Sequence, residues 1–292
     1  MKLTFLGTGT SHGVPVISCD CRVCKSQDFR DKRFRSSVYI QTNENKYILI
    51  DIGPEFRMQA IENNIKKVDA LLLTHSHADH LHGIDDLRIF SCAMHKAPED
   101  QKSLSLFKAP PLPVYTNKKC ADDIKLRFGY FFTPVKEGGG HAKVEINVVD
   151  NSFTYGDLTI TPVPLLHGHM ETTGWLLTEK TSDGSKQSIA YLTDCSYIDE
   201  KSIALIKENC GTLKHLIIDG LREKPHSTHF SFIEAMEAAG KIGAEQVWLT
   251  HLNHNHSHTE TIDFINNHID EVPELKKCKS VLPAYDKLII EC

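Results

Sequence analysis

No apolar run in the 292 residues approaches the roughly 18 needed to cross a bilayer, and the longest, such as Ala70 to Leu73, are strand-sized. No membrane role is expected. An excess of positive charge is missing as well: 33 Lys and Arg stand against 38 Asp and Glu, the formal net charge is -5, and no basic arm is evident. Nothing here resembles the electrostatic footprint of a protein that grips long nucleic acid, so DNA is not an expected partner and RNA is disfavoured. A small anionic substrate at a cationic metal centre stays open, because bound ions dominate the local field. Export is not expected either. The opening MKLTFLGTGTS has one Lys and a short apolar stretch that runs into glycines, which reads as a first strand and predicts a cytoplasmic location. With nine cysteines, an odd number, and no export, a disulfide framework is not expected. A dinucleotide fingerprint is absent too: Gly7, Gly9 and Gly13 are misspaced for G-x-G-x-x-G, and Pro15 spoils the helix that should follow.

What is present is a chain 40% hydrophobic, long enough for one large domain or two ordinary ones. We read residues 1–292 as one domain, with a cap or insertion at about 96–150. The first half reads as strands at Leu3 to Leu6, Ser37 to Thr42 and Tyr47 to Ile52, then a helix opened by Pro54 with Met58, Ile61 and Ile65 at helical spacing, then the buried strand Ala70 to Leu73. From Lys96 to Asp150 the pattern weakens. Pro98, Pro110, Pro111, Pro113 and the run Gly138 to Gly140 mark loops and short elements there. Strand patterns resume at Leu158 to Val163, Gly174 to Thr178, Ile189 to Thr193, His215 to Asp219 and Val247 to Thr250, alternating with helical stretches at Ile198 to Lys207 and Phe232 to Ile242. Two mixed sheets with helices packed outside each would account for both halves, and strand ends from the two halves would meet at one edge. No internal repeat is strong enough in sequence to prove this.

The chemistry is concentrated in Thr74-His75-Ser76-His77-Ala78-Asp79-His80, which puts three imidazoles and a carboxylate in one short loop after a buried strand. Such a set of borderline ligands suits Zn, Mn or Fe, and chance crowding of a scarce residue is a poor explanation for it. Three cysteines also sit together, as Cys19-x-Cys21-x-x-Cys24, a spacing that suggests metal.

His-x-His-x-Asp-His resembles the motif by which the metallo-β-lactamase superfamily is recognised, and the resemblance implies its αββα sandwich of two mixed sheets with outer helices. It also implies three further ligands at strand ends. The sequence supplies His167 after Val163-Pro164-Leu165-Leu166, Asp194 in Tyr191-Leu192-Thr193-Asp194, and His251 in Trp248-Leu249-Thr250-His251. By that resemblance His75, His77 and His167 hold one metal and Asp79, His80 and His251 the other, with Asp194 bridging both beside a shared hydroxide. His169 competes with His167, and Asp194 could otherwise cap the following helix. Asp51, in Leu49-Ile50-Asp51-Ile52-Gly53, matches a family carboxylate that supports the metal loop.

The segment Gly7-Thr8-Gly9-Thr10-Ser11-His12-Gly13-Val14-Pro15 followed by the cysteine cluster resembles the PhnP-type phosphodiesterase branch. That implies a separate structural zinc on Cys19, Cys21, Cys24 and His254, with His256 and His258 as rivals for the fourth position. His229, in Pro225-His226-Ser227-Thr228-His229, matches a histidine near the reacting phosphate in that branch, with His226 as competitor. Arg88 either binds phosphate or pairs with Asp85.

These readings imply a hydrolase with two divalent ions (Zn or Mn, with Fe also compatible) and one structural Zn. Its catalytic residues would be Asp79, Asp194 and His229, and its substrate a small or cyclic phosphodiester. Alternatives are a transfer-RNA processing nuclease like ribonuclease Z, a lactone or thioester hydrolase, and a noncatalytic metal-binding protein like PqqB. Whether the chain forms a homodimer is left open.

Overall fold

In the computed structural model, which describes residues 1–94, 96–136 and 139–292, the chain forms two seven-stranded sheets. In chain order, the first half places β1 (Lys2–Gly7), β2 (Ser37–Gln41), β3 (Tyr47–Ile50), helix α1 (Phe56–Glu62), β4 (Ala70–Leu72) and the one-turn helix α2 (Ala78–Leu81). The two-residue β5 (Cys92–Ala93), α3 (Ser105–Lys108), β6 (Leu112–Thr116), α4 (Lys118–Arg127), β7 (His141–Ala142) and β8 (Val144–Val148) follow. The second half runs β9 (Phe153–Tyr155), β10 (Leu158–His167), β11 (Met170–Lys180), β12 (Lys186–Leu192), α5 (Glu200–Asn209), β13 (Thr212–Asp219), α6 (Phe232–Ile242), β14 (Gln246–Thr250) and α7 (His258–His268). The chain then adds β15 (Ser280–Pro283) and β16 (Ile289–Glu291).

The sheet orders are β16-β1-β2-β3-β4-β6-β8 and β15-β14-β13-β12-β11-β10-β9. Each sheet begins antiparallel, over β1 to β3 in the first and β9 to β12 in the second. Later strands pair in parallel, except that β16 returns antiparallel to β1. Three apolar clusters fill the layers. Leu3, Phe5, Ile48 and Leu72 meet Ile160, Trp175, Tyr191 and Ile217 between the sheets. Leu49, Leu71 and Val114 bury the first sheet's other face under Phe56 and Ile124, and Val163, Leu216 and Leu249 do the same for the second under Ile206, Met236 and Ile265. Strands buried on both faces read as continuous apolar runs, which is why Ala70 to Leu73 and Tyr191 to Leu192 show no alternation. The expected four layers are therefore present. No helix among the described residues is long and apolar enough to cross a membrane.

Two local expectations need correction. In α1 the residues turned inward are Phe56 and Gln59, while Met58 and Ile61 are exposed and Ile65 lies beyond the helix. The helix is rotated because Gln59 donates from Nε2 to the Arg35 carbonyl, 3.0 Å away, where the β1–β2 register shifts. Within 96–150, where loops and short elements are expected, β6 and β8 extend the first sheet, and Gly138 of the glycine run lies outside the described residues. Pro113 is tolerated in β6 because β4 pairs only from Val114 onward, so that position has a strand neighbour on one side alone.

A candidate metal centre at the strand ends

The parallel strands of both sheets end at one edge, and the polar residues just beyond them converge. β4 leads through Leu73 and Thr74 into the loop His75 to His80; β10 ends on His167, β12 is followed by Asp194, and β14 by His251. Two groups without His229 form there, His75, His77 and His167, and Asp79, His80, Asp194 and His251, the ligand atoms within each lying within 4.8 Å of one another; by the same measure His229 joins His167 and Asp194, and also Asp219 and His251. All but His77 are buried.

The distances test whether these groups suit cations. His80 Nε2 lies 3.1 Å from Asp194 Oδ1 and 3.2 Å from Asp79 Oδ2, and His251 Nε2 lies 3.3 Å from Asp194 Oδ1. Yet the Nε2 atoms of His75, His80 and His251 have no hydrogen-bond partner among the described residues. Atoms this close without hydrogen-bond geometry point at a common centre. Donors bound at about 2.0–2.2 Å to a shared ion stand at such separations, so the residues fit a divalent cation. His75 Nε2 is also 3.8 Å from Asp194 Oδ2, which places Asp194 between the two groups.

The far nitrogen of three of the rings, His75, His80 and His167, is held by the protein, which decides which nitrogen points inward. His80 Nδ1 is 2.7 Å from Asp51 Oδ2, His75 Nδ1 is 2.9 Å from Thr74 Oγ1, and His167 Nδ1 donates to the Thr228 carbonyl at 2.6 Å. Asp51 also accepts from the Thr74 backbone N–H at 2.9 Å. Burial drives His75, His77 and His229 below the ordinary histidine range and His167 down to about 4, which keeps them neutral and able to donate a lone pair. His80 goes the other way: burial lowers it, but the carboxylates of Asp194, Asp79 and Asp51 outweigh that and raise it well above its usual value. A cation would take over the charge that its proton otherwise supplies.

Three of the seven described non-glycine residues with positive φ lie at this edge. Asp51, Asp194 and His251 have φ of 60°, 50° and 61°, in the left-handed region that side chains seldom adopt. Gly53 and Gly83 allow the close approach of two loops: a Cβ on Gly83 would meet the Gly53 carbonyl oxygen at 2.1 Å, and one on Gly53 the Asp79 carbonyl oxygen at 2.4 Å.

His229 stands beside the cluster. Its ring is stacked on His251 at 4.5 Å and lies edge-on to His167 at 4.5 Å, and its Nδ1 is 2.7 Å from Asp219 Oδ2. Sequence reasoning misses Asp219, which ends β13; a strand-terminal Asp followed closely by Gly, as at Asp51-Ile52-Gly53, is the available signal. It misses Asp123 and Arg127 of α4 as well: Asp123 accepts from the Ser76 hydroxyl and Arg127 donates to the Ser76 carbonyl, bracing the metal loop.

The rivals separate. His169 is exposed and outside both groups, and His226 is exposed with its Nδ1 3.1 Å from Thr228 Oγ1. Arg88 lies 3.6 Å from Asp85 and pairs with it on the surface.

A third group lies in the loop after β1. The sulfurs of Cys19, Cys21 and Cys24 are 3.3, 3.4 and 3.4 Å from one atom, His254 Nδ1. His256 pairs instead with Glu223, and the backbone N–H of His258 is bound to Asp31. The Cys24 N–H directed at Cys21 Sγ holds that thiol down at about 6, so it is a thiolate at neutral pH.

Comparison with known proteins agrees with this geometry. The model of a family described as a β-lactamase superfamily domain matches residues 46–252. The crystal structure of a diphosphatase from the PhnP family superposes with a TM-score of 0.78 at 34% identity, over 100% of this chain and 97% of that one. The zinc-bound PqqB of Methylobacterium extorquens superposes at 0.74, but at 16% identity that likeness concerns the fold alone; it covers 100% of both chains. An octanoyltransferase of Porphyromonas gingivalis is 35% identical over 272 residues, 92% of this chain, and the chain spans only 49% of that protein's length.

Proposed function

We propose, from the premise that this chain belongs to the β-lactamase superfamily and resembles the hydrolases of its PhnP family, that it cleaves a small or cyclic phosphodiester or a phosphoric anhydride. The observation that carries this reading is the convergence of unpartnered histidine nitrogens and carboxylates around Asp194, with a buried histidine beside them that is oriented by a carboxylate of its own. Two divalent cations, Zn or Mn, would be held by His75, His77, His167 and by Asp79, His80, His251, with Asp194 shared. When bound they supply Lewis-acid polarisation of a phosphoryl oxygen and a water acidic enough to react at neutral pH.

The chain's own groups do the rest. Asp219 takes the hydrogen bond from His229 Nδ1, leaving Nε2 of the neutral ring to face the cluster, where it would take up the proton lost by the attacking water and pass it to the departing oxygen. Asp51 and Thr228 fix the inward nitrogens of His80 and His167, so little reorganisation is needed when charge develops. The thiol group with His254 would carry a zinc closed to solvent, tying the loop after β1 to the chain beyond His251. Nine free cysteines support work in a reducing compartment such as the cytoplasm.

An acyl substrate is the second reading, favoured by the relative named for acyl transfer, although this chain matches only half of that protein. The deciding experiment assays metal-loaded protein in parallel on cyclic phosphates, linear dinucleotides, dinucleoside diphosphates, precursor transfer RNA, lactones and thioesters. Turnover of phosphate compounds with none of the acyl esters is expected. The reverse result would sink the phosphoesterase reading.

A further inference from the structure

Beyond the metal loop lies an aromatic surface that the proposed chemistry does not use. Arg127, the last residue of α4, is clipped to the loop through the Ser76 carbonyl and lies 3.7 Å from Asp123, with 38% of its side chain exposed. The next residue, Phe128, meets His82 edge to face at 5.8 Å, and exposed His82 follows His80 by two positions. Phe128 also lies 6.4 Å from Tyr130 and stacks at 5.6 Å on Phe131, which stacks in turn on His141 at 5.9 Å. Of these rings only Phe131 is buried; Tyr130 is 47% exposed and its hydroxyl is directed at Asp85, 3.1 Å away.

Burial accounts for only part of this array: Phe131 belongs to the core and Phe128 is half-buried against it, but His82 and Tyr130 on either side are exposed. Contiguous exposed aromatic surface marks a contact site. Two features define the occupant. The rings offer π-faces, and the cation at their edge adjoins the loop where a phosphate would be cleaved. Aromatic faces beside an arginine suit a flat base linked to phosphate, by stacking and cation–π attraction. An acyl chain has no use for that cation.

We propose that His82, Phe128 and Tyr130, with Arg127 at their edge, form a platform that stacks the nucleobase of a nucleotide-containing substrate. This rests on the phosphoesterase reading and narrows it to nucleotides. The platform selects substrate, and Arg127 receives a phosphate that lies toward the metal loop.

The test is calorimetric titration of the metal-loaded protein with AMP and with ribose 5-phosphate, which share the phosphate and sugar and differ by the base. AMP should bind about tenfold tighter or more. Phe128→Leu and His82→Ala should each remove most of that margin while shifting ribose 5-phosphate less than about twofold, whereas Arg127→Gln should weaken both ligands. Circular dichroism of each variant establishes that it is folded, and Tyr130→Leu, at an exposed position, serves if Phe128→Leu is not. Equal affinity for the two ligands in the unsubstituted protein would overturn the platform. So would ring variants that lose both ligands alike, or that split a dimer without changing AMP affinity. If AMP is preferred but no phosphate compound is turned over, the platform stands and the hydrolytic reading falls. Turnover of phosphate compounds without base preference keeps the hydrolytic reading and removes the platform.

Discussion

The two candidate metal-binding regions differ in how the protein holds them. At the strand ends, six of seven donor residues are buried, each inward nitrogen of His75, His80 and His167 is set by a partner on the far side of its ring, and both sheets contribute. At the cysteine cluster, Cys24 is buried but the other three donors are half-buried, they come from one short loop plus His254, and their apolar support is Val14, Val16 and Val23. A reacting centre must hold its ligands in place while leaving a coordination position free, and that requires supporting hydrogen bonds from a rigid frame. A closed thiolate site holds itself together, because ligand affinity alone fixes its geometry.

The comparison can be broken most severely at Asp194. Asp194→Asn removes the charge shared by both buried groups, and activity should fall by more than about 10⁴-fold, the equivalent of several kcal/mol of charge stabilisation. Metal analysis should show the buried cations weakened and the cysteine-bound zinc retained; loss of all metal together would erase the distinction. Next comes His229→Ala, which should leave metal content intact yet slow cleavage on the order of 10²- to 10⁴-fold for a poor alkoxide leaving group. The penalty should be smaller for p-nitrophenolate. Equal penalties on both leaving groups would make His229 a binding contact instead of an acid.

Asp51→Asn sharpens the contrast without touching a donor. Metal affinity or activity should drop by roughly 10- to 100-fold, because His80 loses the carboxylate that orients it. An unchanged dissociation constant would show that the frame does not matter. The smallest effect on chemistry belongs to Cys21→Ser: one zinc per chain should disappear and the melting temperature should fall by a few degrees, while turnover per folded molecule changes little. A melting curve and zinc content identical to the unsubstituted protein would remove the structural zinc.

Much of this site is legible in the sequence because its signals are local. Three imidazoles and a carboxylate sit within six residues of sequence, and His167, Asp194 and His251 each follow an apolar run, so a strand-end reading reaches them. Asp219 also ends an apolar run, but its role depends on a histidine ten residues later turning back toward it, and sequence does not record that turn. The orientation of α1 is lost for a related reason: Met58 and Ile61 are apolar, yet a hydrogen bond from Gln59 to the backbone of Arg35 decides which face is buried. In the stretch 96–150, Pro113 conceals β6, which tolerates it because the pairing with β4 begins only at Val114.

The left-handed backbone at Asp51, Asp194 and His251 sets stability against function. Each such residue costs about 1 kcal/mol or more that a glycine would not incur, and all three lie where the cluster is built. The fold therefore tolerates local strain at the positions that the chemistry needs. Sequence drift free of selection for activity should move these sites toward glycine, and a chain that has done so would be sturdier than this one and inert.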